Sequence, residues 1–286
     1  MIIKQIYNKK SRRVSKVLSE ELGLGFNQIQ RILRNKDIKI SGKRISKEIE
    51  VDAGLLLEIY LEETKIKVIY EDENIVVVFK PRNLETVKEN NDHDDLLSIL
   101  TKQIGVLLYA VHRLDRNTEG LVIFAKNETA KFSLDNAIKN RNIEKYYLAK
   151  VVGKPNLSEE HLIAFLKKDE KNSKVYISST QEKGYEIIKT NYKLISTNGE
   201  FSILEIELLT GRTHQIRAHL SFIGLPILGD EKYGNSEENK KQNKKYQCLC
   251  AYKLIFHFDD NDDYLHYLNG KSIVLDKNEI EFYSLN

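Results

Sequence analysis

The stretch that most constrains this chain is His112-Arg113-Leu114-Asp115-Arg116-Asn117-Thr118-Glu119-Gly120-Leu121-Val122-Ile123-Phe124-Ala125-Lys126. It opens on titratable side chains around Leu114, passes through a polar turn to Gly120 and ends in the apolar run Leu121–Ala125. A run of that length and β-branched content reads as a buried strand. A charged loop feeding directly into a core strand gives reactive groups a rigid base, and loops placed in this way often carry catalytic residues. Asp115 is the carboxylate of interest, with Arg113 and Arg116 close by. Taken alone, the same residues also describe a solvated turn held by an ion pair.

A chain of 286 residues suits one large domain plus a small one, and the division is placed at residues 1–62 and 63–286. With 41% apolar and 30% charged residues and only three prolines, an ordered, water-soluble protein is expected. No stretch approaches the roughly 20 apolar residues of a membrane span. Met1-Ile2-Ile3-Lys4 runs within a few residues into a basic cluster, so no signal peptide is expected. Cys248 and Cys250, two apart, would share one face of a strand at the edge of disulfide reach. Free thiols in a reducing cytoplasm are the expectation. The charge is uneven. Residues 1–62 hold 13 basic and 8 acidic side chains, a net of +5, while the remainder holds 32 against 34. That asymmetry points to an anionic partner for the N-terminal part.

In that part, Arg12 to Leu22 reads as a helix ended by Gly23 and Gly25, and Asn27 to Asn35 as a second. Asp37 to Ile45 reads as a hairpin turning at Ser41-Gly42, and Glu48 to Leu61 closes with a strand-like run. Arg31, Arg34, Lys36, Lys39, Lys43, Arg44 and Lys47 are accompanied by a single acid, Asp37, and on a helix end plus a hairpin they would form one basic face suited to RNA phosphates. The order helix-helix-hairpin resembles the small S4 RNA-binding module. Gln28-Ile29-Gln30-Arg31, Asp37-Ile38-Lys39-Ile40-Ser41-Gly42-Lys43 and Asp52-Ala53-Gly54 carry the likeness, with Ile40-Ser41-Gly42 where the module usually shows Val-Asn-Gly.

Further on, Lys67–Tyr70 and Ile75–Phe79 read as a hairpin ended by Lys80-Pro81, followed by a polar, mobile connector at Lys88–Asp95 and a helix at Leu96–Ile104. Thr129 to Asn140 reads as a helix with Phe132, Leu134, Ala137 and Ile138 inward, and Glu144 to Val152 as a strand. Leu157 to Lys183 is lysine-rich and weakly patterned; Tyr185–Ser196 and Phe201–Leu209 read as strands joined at Thr197-Asn198-Gly199. In Thr210-Gly211-Arg212-Thr213-His214-Gln215-Ile216-Arg217-Ala218-His219 a strand ends, the chain turns, and Thr213 would cap a helix to about Ile223. Asn235 to Lys245 reads as a flexible loop, Tyr246–Phe258 as the closing strand region and Asp259–Asp263 as an acidic turn. His214 and His219 have the spacing of a zinc-finger histidine pair, but no Cys-x₂₋₄-Cys pair accompanies them, so no metal is expected.

Three separated segments resemble RluA-type RNA pseudouridine synthases, those of the large ribosomal subunit. They are the His112–Lys126 stretch, Lys145-Tyr146-Tyr147 with its following strand and Gly153, and Gly211–Leu220 continuing through Gly229-Asp230 and Tyr233-Gly234. The chain departs from that pattern at Arg82-Asn83 (usually a small residue and Gly), at Glu119 (usually small) and at Cys250 (usually His). The resemblance implies an α+β fold, a mixed and mainly antiparallel sheet with flanking helices, preceded by the small module. It implies that Asp115 is catalytic, that Tyr147 lies against the target base, that Ile216 lines the base pocket and that Arg217 pairs with Asp115. Arg113 is a candidate to fill the stack vacated by a flipped nucleotide, and His112, which opens the motif, joins the substrate-binding set. The implied reaction is isomerisation of uridine in RNA, ribosomal first and transfer RNA next, by a cytoplasmic monomer without cofactor. The carboxylate would attack the anomeric carbon or take a proton from the neighbouring sugar carbon; either role needs Asp115 ionised. The competing readings are a non-catalytic RNA-binding or ribosome-assembly factor and a hydrolase using Asp115 with Glu119.

Overall fold

Seven consecutive buried residues, Glu119–Ala125, form the strand around which the larger part of the chain is laid down. The computed structural model describes residues 2–61, 65–88, 95–258, 261 and 263–285. The chain divides into two units, Met1–Lys65 with Lys88–Ile99, and Ile66–Val87 with Leu100–Asn286.

The first unit contains β1 (Ile2–Tyr7), β2 (Arg12–Arg13), α1 (Val14–Leu22), α2 (Phe26–Asn35), β3 (Ile38–Ile40), β4 (Lys43–Arg44), β5 (Glu50–Val51) and β6 (Leu56–Leu61). A four-stranded antiparallel sheet runs β1-β6-β3-β4. The apolar residues of the two helices, Val14, Val17 and Leu18 with Ile29, Ile32 and Leu33, pack against Ile38, Leu57 and Ile59. Gly23 takes the left-handed conformation that closes α1. The hairpin turn lies at Ser41-Gly42, both with positive φ, as a tight two-residue turn requires. One feature departs from the sequence reading, and one strand lies outside it. Arg12 is not helical: it pairs with Val51 in β2–β5, and its buried guanidinium holds Glu20 and Glu21. Ile2–Tyr7 is a strand, paired along its whole length with β6.

The second unit contains β7 (Lys67–Glu71), β8 (Ile75–Lys80), the end of α3 (Leu96–Ile104), β9 (Tyr109–Ala110), β10 (Glu119–Ala125), α4 (Glu128–Lys139), β11 (Ile143–Val152), β12 (Glu159–Asp169), β13 (Lys174–Ser178), β14 (Glu186–Thr197), β15 (Phe201–Leu208), α5 (Gln215–Phe222), α6 (Ser236–Lys241), β16 (Leu249–Phe256) and β17 (Ser272–Val274). An 11-stranded sheet runs β13-β12-β14-β15-β11-β16-β10-β8-β7, with β17 on β16 and β9 on β10. Its pairings are antiparallel except one: β10 and β16 run parallel through Glu119↔Cys250 and Gly120↔Ala251. The core lies where α4 and the C-terminal segment cover this middle, with Leu121, Ile123, Leu134, Leu148, Tyr252 and Phe256 at its centre. No described helix is long and apolar enough to cross a membrane.

Four local expectations are corrected. Phe132 points outward, 69% exposed, because the inward face of α4 is set by Ala130, Ser133, Leu134 and Ala137. The lysine-rich stretch after Leu157 is the hairpin β12–β13, whose inward Leu162, Ala164 and Leu166 alternate with the more exposed Ile163 and Phe165. Asn235–Lys245 is not all loop: α6 forms there, with Asn235 accepting from the amides of Glu237 and Glu238, acids in its first turn and lysines in its last. Thr213 does not cap α5; the turn continues one residue further and His214 occupies the cap in a left-handed conformation, φ 54°. Residues 89–94 of the expected connector and residues 259, 260 and 262 of the acidic turn lie outside the described residues. Cys248 and Cys250 are free thiols, both buried.

Gly120 is the residue the parallel junction cannot replace. Its φ is 122°, and a Cβ there would stand 2.2 Å from the carbonyl oxygen of Ala251. Gly120→Ala must therefore part β10 from β16. We expect a loss of at least about 3 kcal/mol of unfolding free energy, measured by urea denaturation, because both backbone strain and lost packing act.

Candidate active site

The loop Val111–Thr118 reaches the end of β10 with three consecutive residues pinned by their main chain. Leu114 donates its amide to Thr86 Oγ1 at 3.1 Å and accepts from the same hydroxyl at 3.2 Å. The Asp115 carbonyl accepts from the Thr118 amide at 3.0 Å, and the Arg116 carbonyl from the Leu84 amide at 3.2 Å. The Arg116 carbonyl also receives the ammonium of Lys80, which is fully buried and donates to the carbonyls of Pro81 and Leu84 as well. Burial pushes the Lys80 ammonium down to about 7, against the pull of Asp115, Glu119 and Glu85.

The Asp115 side chain projects from this loop toward Arg217 on the first turn of α5. Arg217 Nη1 donates to Asp115 Oδ2 at 2.8 Å, while Nε and Nη2 hold Asp230 at 2.7 and 2.9 Å. Asp230 also accepts from the amides of Lys232 and Tyr233. Burial raises the Asp230 carboxyl, but the bonds and charge of Arg217 outweigh it and hold the group below its ordinary value. Burial lowers Arg217, and the two carboxylates more than restore it. Asp115 is 26% exposed, against 8% for Arg217 and 0% for Asp230. The open side of the cluster is therefore Asp115, whose Oδ1 has no partner among the described residues. His214 stands behind it: Nε2 lies 3.9 Å from Asp115 Oδ2, and Nδ1 2.9 Å from the Tyr233 hydroxyl. That hydroxyl accepts from the Val175 amide.

These groups open on a cavity of about 650 Å³, whose wall includes Arg113, Asp115, Tyr147, Ile216 and Arg217. Tyr147 and Ile216 are buried, 6% and 5% exposed, and present an aromatic face and an apolar patch. Arg113 is exposed at the rim. His112 also lines the cavity, but its Nε2 accepts from the Ile123 amide at 2.9 Å. Burial, aided by Lys145, pushes His112 down to about 3, so it is a neutral fixture of the wall. His219 bonds Thr190, apart from His214. Glu119 is taken by Arg82 at 2.7 Å and forms no carboxylate pair with Asp115. A carboxylate with one free oxygen beside a half-apolar, aromatic-walled cavity is the arrangement a sugar-directed nucleophile or base requires.

Residues 74–222 match the family described as RNA pseudouridylate synthase. This chain belongs to that family. Its activity is accordingly that of an RNA pseudouridine synthase, an isomerase. It is 32% identical to an uncharacterized RNA pseudouridine synthase of Mycoplasma capricolum, over 86% of this chain and 87% of that one. It is 32% identical to the ribosomal large subunit pseudouridine synthase D of Borreliella burgdorferi, over 74% and 70%. The solved structure of human RNA Pseudouridylate Synthase Domain Containing 1 shares the fold, with a TM-score of 0.59 at 23% identity over 68% of this chain and 80% of that one.

Of the residues singled out in the synthase sequence, Asp115, Arg113, Tyr147, Ile216, Arg217 and His112 all meet at this cavity. Arg31, Arg34, Lys36, Lys39, Lys43 and Arg44 belong to the first unit. Sequence reasoning passed over Asp230, Lys80 and Thr86. Asp230 was visible only as part of Gly229-Asp230, Lys80 only as a strand end before Pro81, and Thr86 carried no signal. Gln215 was missed too. It braces the start of α5 by accepting from the Arg212 amide and donating to Lys189 O and Thr190 Oγ1.

Asp230→Asn should cost about 3–5 kcal/mol of stability at pH 7, since Arg217 then keeps one partner of two. The depressed carboxyl of Asp230 contributes stability that is complete above the unfolded value of about 4 and is lost as pH falls below it. Urea titrations across that window should show this acid limb in the wild type and its reduction in the variant.

Proposed function

We propose that this synthase isomerises uridines of large-subunit ribosomal RNA, with Asp115 acting on the ribose of a flipped nucleotide. The observation that carries the reading is the Arg217–Asp115 ion pair, 2.8 Å long, at the mouth of a cavity walled by Tyr147 and Ile216. The printed name of the Borreliella burgdorferi relative supports the choice of ribosomal RNA.

In this reading the target nucleotide leaves its stack, Arg113 at the rim fills the space behind it, and the uracil rests on Tyr147 and Ile216. Asp115 Oδ1, free of other bonds, either attacks C1′ as the N1–C1′ bond breaks or removes the C2′ proton to the same end. Arg217 engages only Oδ2, so it aims the group without occupying the reacting oxygen. The freed uracil turns and C5 bonds to C1′, as the Asp115 ester breaks on the first route or as C2′ takes its proton back on the second. The C5 proton is then lost and N1 gains one. The sum is an isomerisation, and no electron or group carrier takes part. All the groups come from one chain, which suits a monomer working in the cytoplasm where ribosomes are assembled.

The first unit is proposed to hold the RNA as an S4-like module. Arg31, Arg34, Lys36, Lys43 and Arg44 are exposed, and none of them pairs with a carboxylate among the described residues. Lys39 and Arg44 lie over the ring of Tyr60, 5.2 and 5.0 Å from its centre, which keeps the two cations on one face.

Asp115→Ala should reduce tritium release from [5-³H]uridine-labelled, in vitro transcribed large-subunit ribosomal RNA by at least about 10³-fold, with RNA affinity within about threefold of wild type. Turnover retained in a pure sample would sink the assignment. Lys39→Gln with Lys43→Gln should weaken binding of the same RNA and lower the slope of log affinity against log salt by about 1.5. An unchanged slope would remove these lysines from the RNA face.

A further inference from the structure

Strand β11 begins before its neighbour reaches it. Pairing with β15 starts at Tyr146↔Glu207, so Ile143–Lys145 is held only on the other side, by Leu254–Phe256 of β16. The uncovered flank opens into the cavity, and Lys145 projects there on the same face as Tyr147, two residues on.

Lys145 differs from the other buried or half-buried cations around the site. Lys80 binds three carbonyls, Arg82 binds Glu119 and Glu281, and Arg217 binds Asp230 and Asp115. Lys145 is partly buried, yet it has no carboxylate, carbonyl or ring partner among the described residues. Burial lowers its pKa, and nothing nearby raises it again. The acid next to it is committed elsewhere: Glu144 accepts from the Tyr146 hydroxyl and stands 2.8 Å from His257. The charge of Lys145 reaches His112, a neutral group on the same cavity wall. The same cavity wall carries Lys139 and Arg141 with the apolar Ile138 and Ile143, and the acids Glu144 and Glu207.

We propose that Lys145 anchors a backbone phosphate flanking the target uridine, in a cationic lobe it forms with Lys139 and Arg141. The inference rests on the reading that the cavity receives a flipped uridine. A desolvated ammonium without a counter-ion is costly, and a charge-assisted bond to a phosphate restores what burial removed. A phosphodiester suits this lobe better than the uracil does, because the base is neutral on entry whereas three cations against Glu144 and Glu207 leave a positive charge to meet an anion. Gripping the strand here would hold the flipped nucleotide in register while its uracil detaches and turns.

The test uses the full chain and the labelled ribosomal transcript. Lys145→Met should raise KM about tenfold with kcat within about twofold, and lower the salt slope by about 1, the mark of one lost phosphate contact. Lys145→Arg should restore most of the affinity. Because the variant removes an unpaired buried charge, Lys145→Met should melt at or above the wild-type temperature, which separates the effect from misfolding. An unchanged KM and salt slope would overturn the proposal. So would a fall in kcat at constant KM, which would make Lys145 a partner of the base in the chemical step. Should the wild type release no tritium, the substrate reading fails on its own account. Filter binding of the same RNA then decides on Lys145, an unchanged dissociation constant and slope overturning the phosphate anchor.

Discussion

The second unit's chemistry depends on how one guanidinium is shared. Arg217 gives two of its donors to a fully buried carboxylate, Asp230, and one to Asp115, which looks out on the cavity. Two carboxylates around one cation leave an excess negative charge. Because Asp230 is further bonded by two amides and buried, the excess falls on Asp115, and on its unbonded oxygen in particular. The cost of burying three charges is large and the geometry must be near ideal to offset it. The bidentate fork to Asp230 meets that requirement. It also fixes the plane in which the remaining nitrogen reaches Asp115, so Asp230 positions the Asp115 carboxylate.

The opposing half of the arrangement is a main-chain device. A loop carrying an ionised group beside a cavity needs its own peptide groups satisfied, or water and alternative conformations compete. Thr86 holds both polar groups of Leu114, and Lys80 gathers three carbonyls beneath the loop. Lys80 therefore bonds only backbone, yet its charge lies close enough for Asp115 to support it. Loop and helix reach the cavity from separate parts of the sheet, and both are rigid there for reasons that can be named atom by atom.

Much of this was legible before any coordinates. The apolar run Leu121–Ala125 is a core strand, the Asn83 turn takes the positive φ of 60° that an asparagine tolerates, and Asp115, Tyr147 and Arg217 converge. What was hidden shares a cause. Helix α6 has no apolar residue and β12 carries apolar residues on both faces through Leu162–Leu166, so periodicity had little to register. Phe132 is apolar but out of phase with the face that packs. Asp230, Thr86 and Lys80 act through partners far away in sequence or through backbone carbonyls. No local pattern encodes such partners, since only the folded sheet brings them together.

The departures from the family pattern behave as one unit rather than three. Arg82 and Glu119, each unusual for the resemblance, are bonded to each other at 2.7 Å, and Cys250 faces Glu119 across the parallel pair of β10 and β16. Side chains at such cross-strand positions share one side of the sheet and compete for its volume. A long acid at 119 needs both a cation to meet it and a small neighbour to admit it; Arg82 supplies the first and Cys250 the second. Burial, with Glu281 adding to it, raises the Glu119 carboxyl in spite of Arg82. Restoring the usual histidine at 250 alone would crowd Glu119 off its partner, while removing Glu119 alone would leave Arg82 with Glu281 as its remaining carboxylate. Changes at these positions are therefore non-additive, and this chain's substitutions are read correctly only as a set. The cluster stands beside the loop that carries Asp115 without entering the cavity.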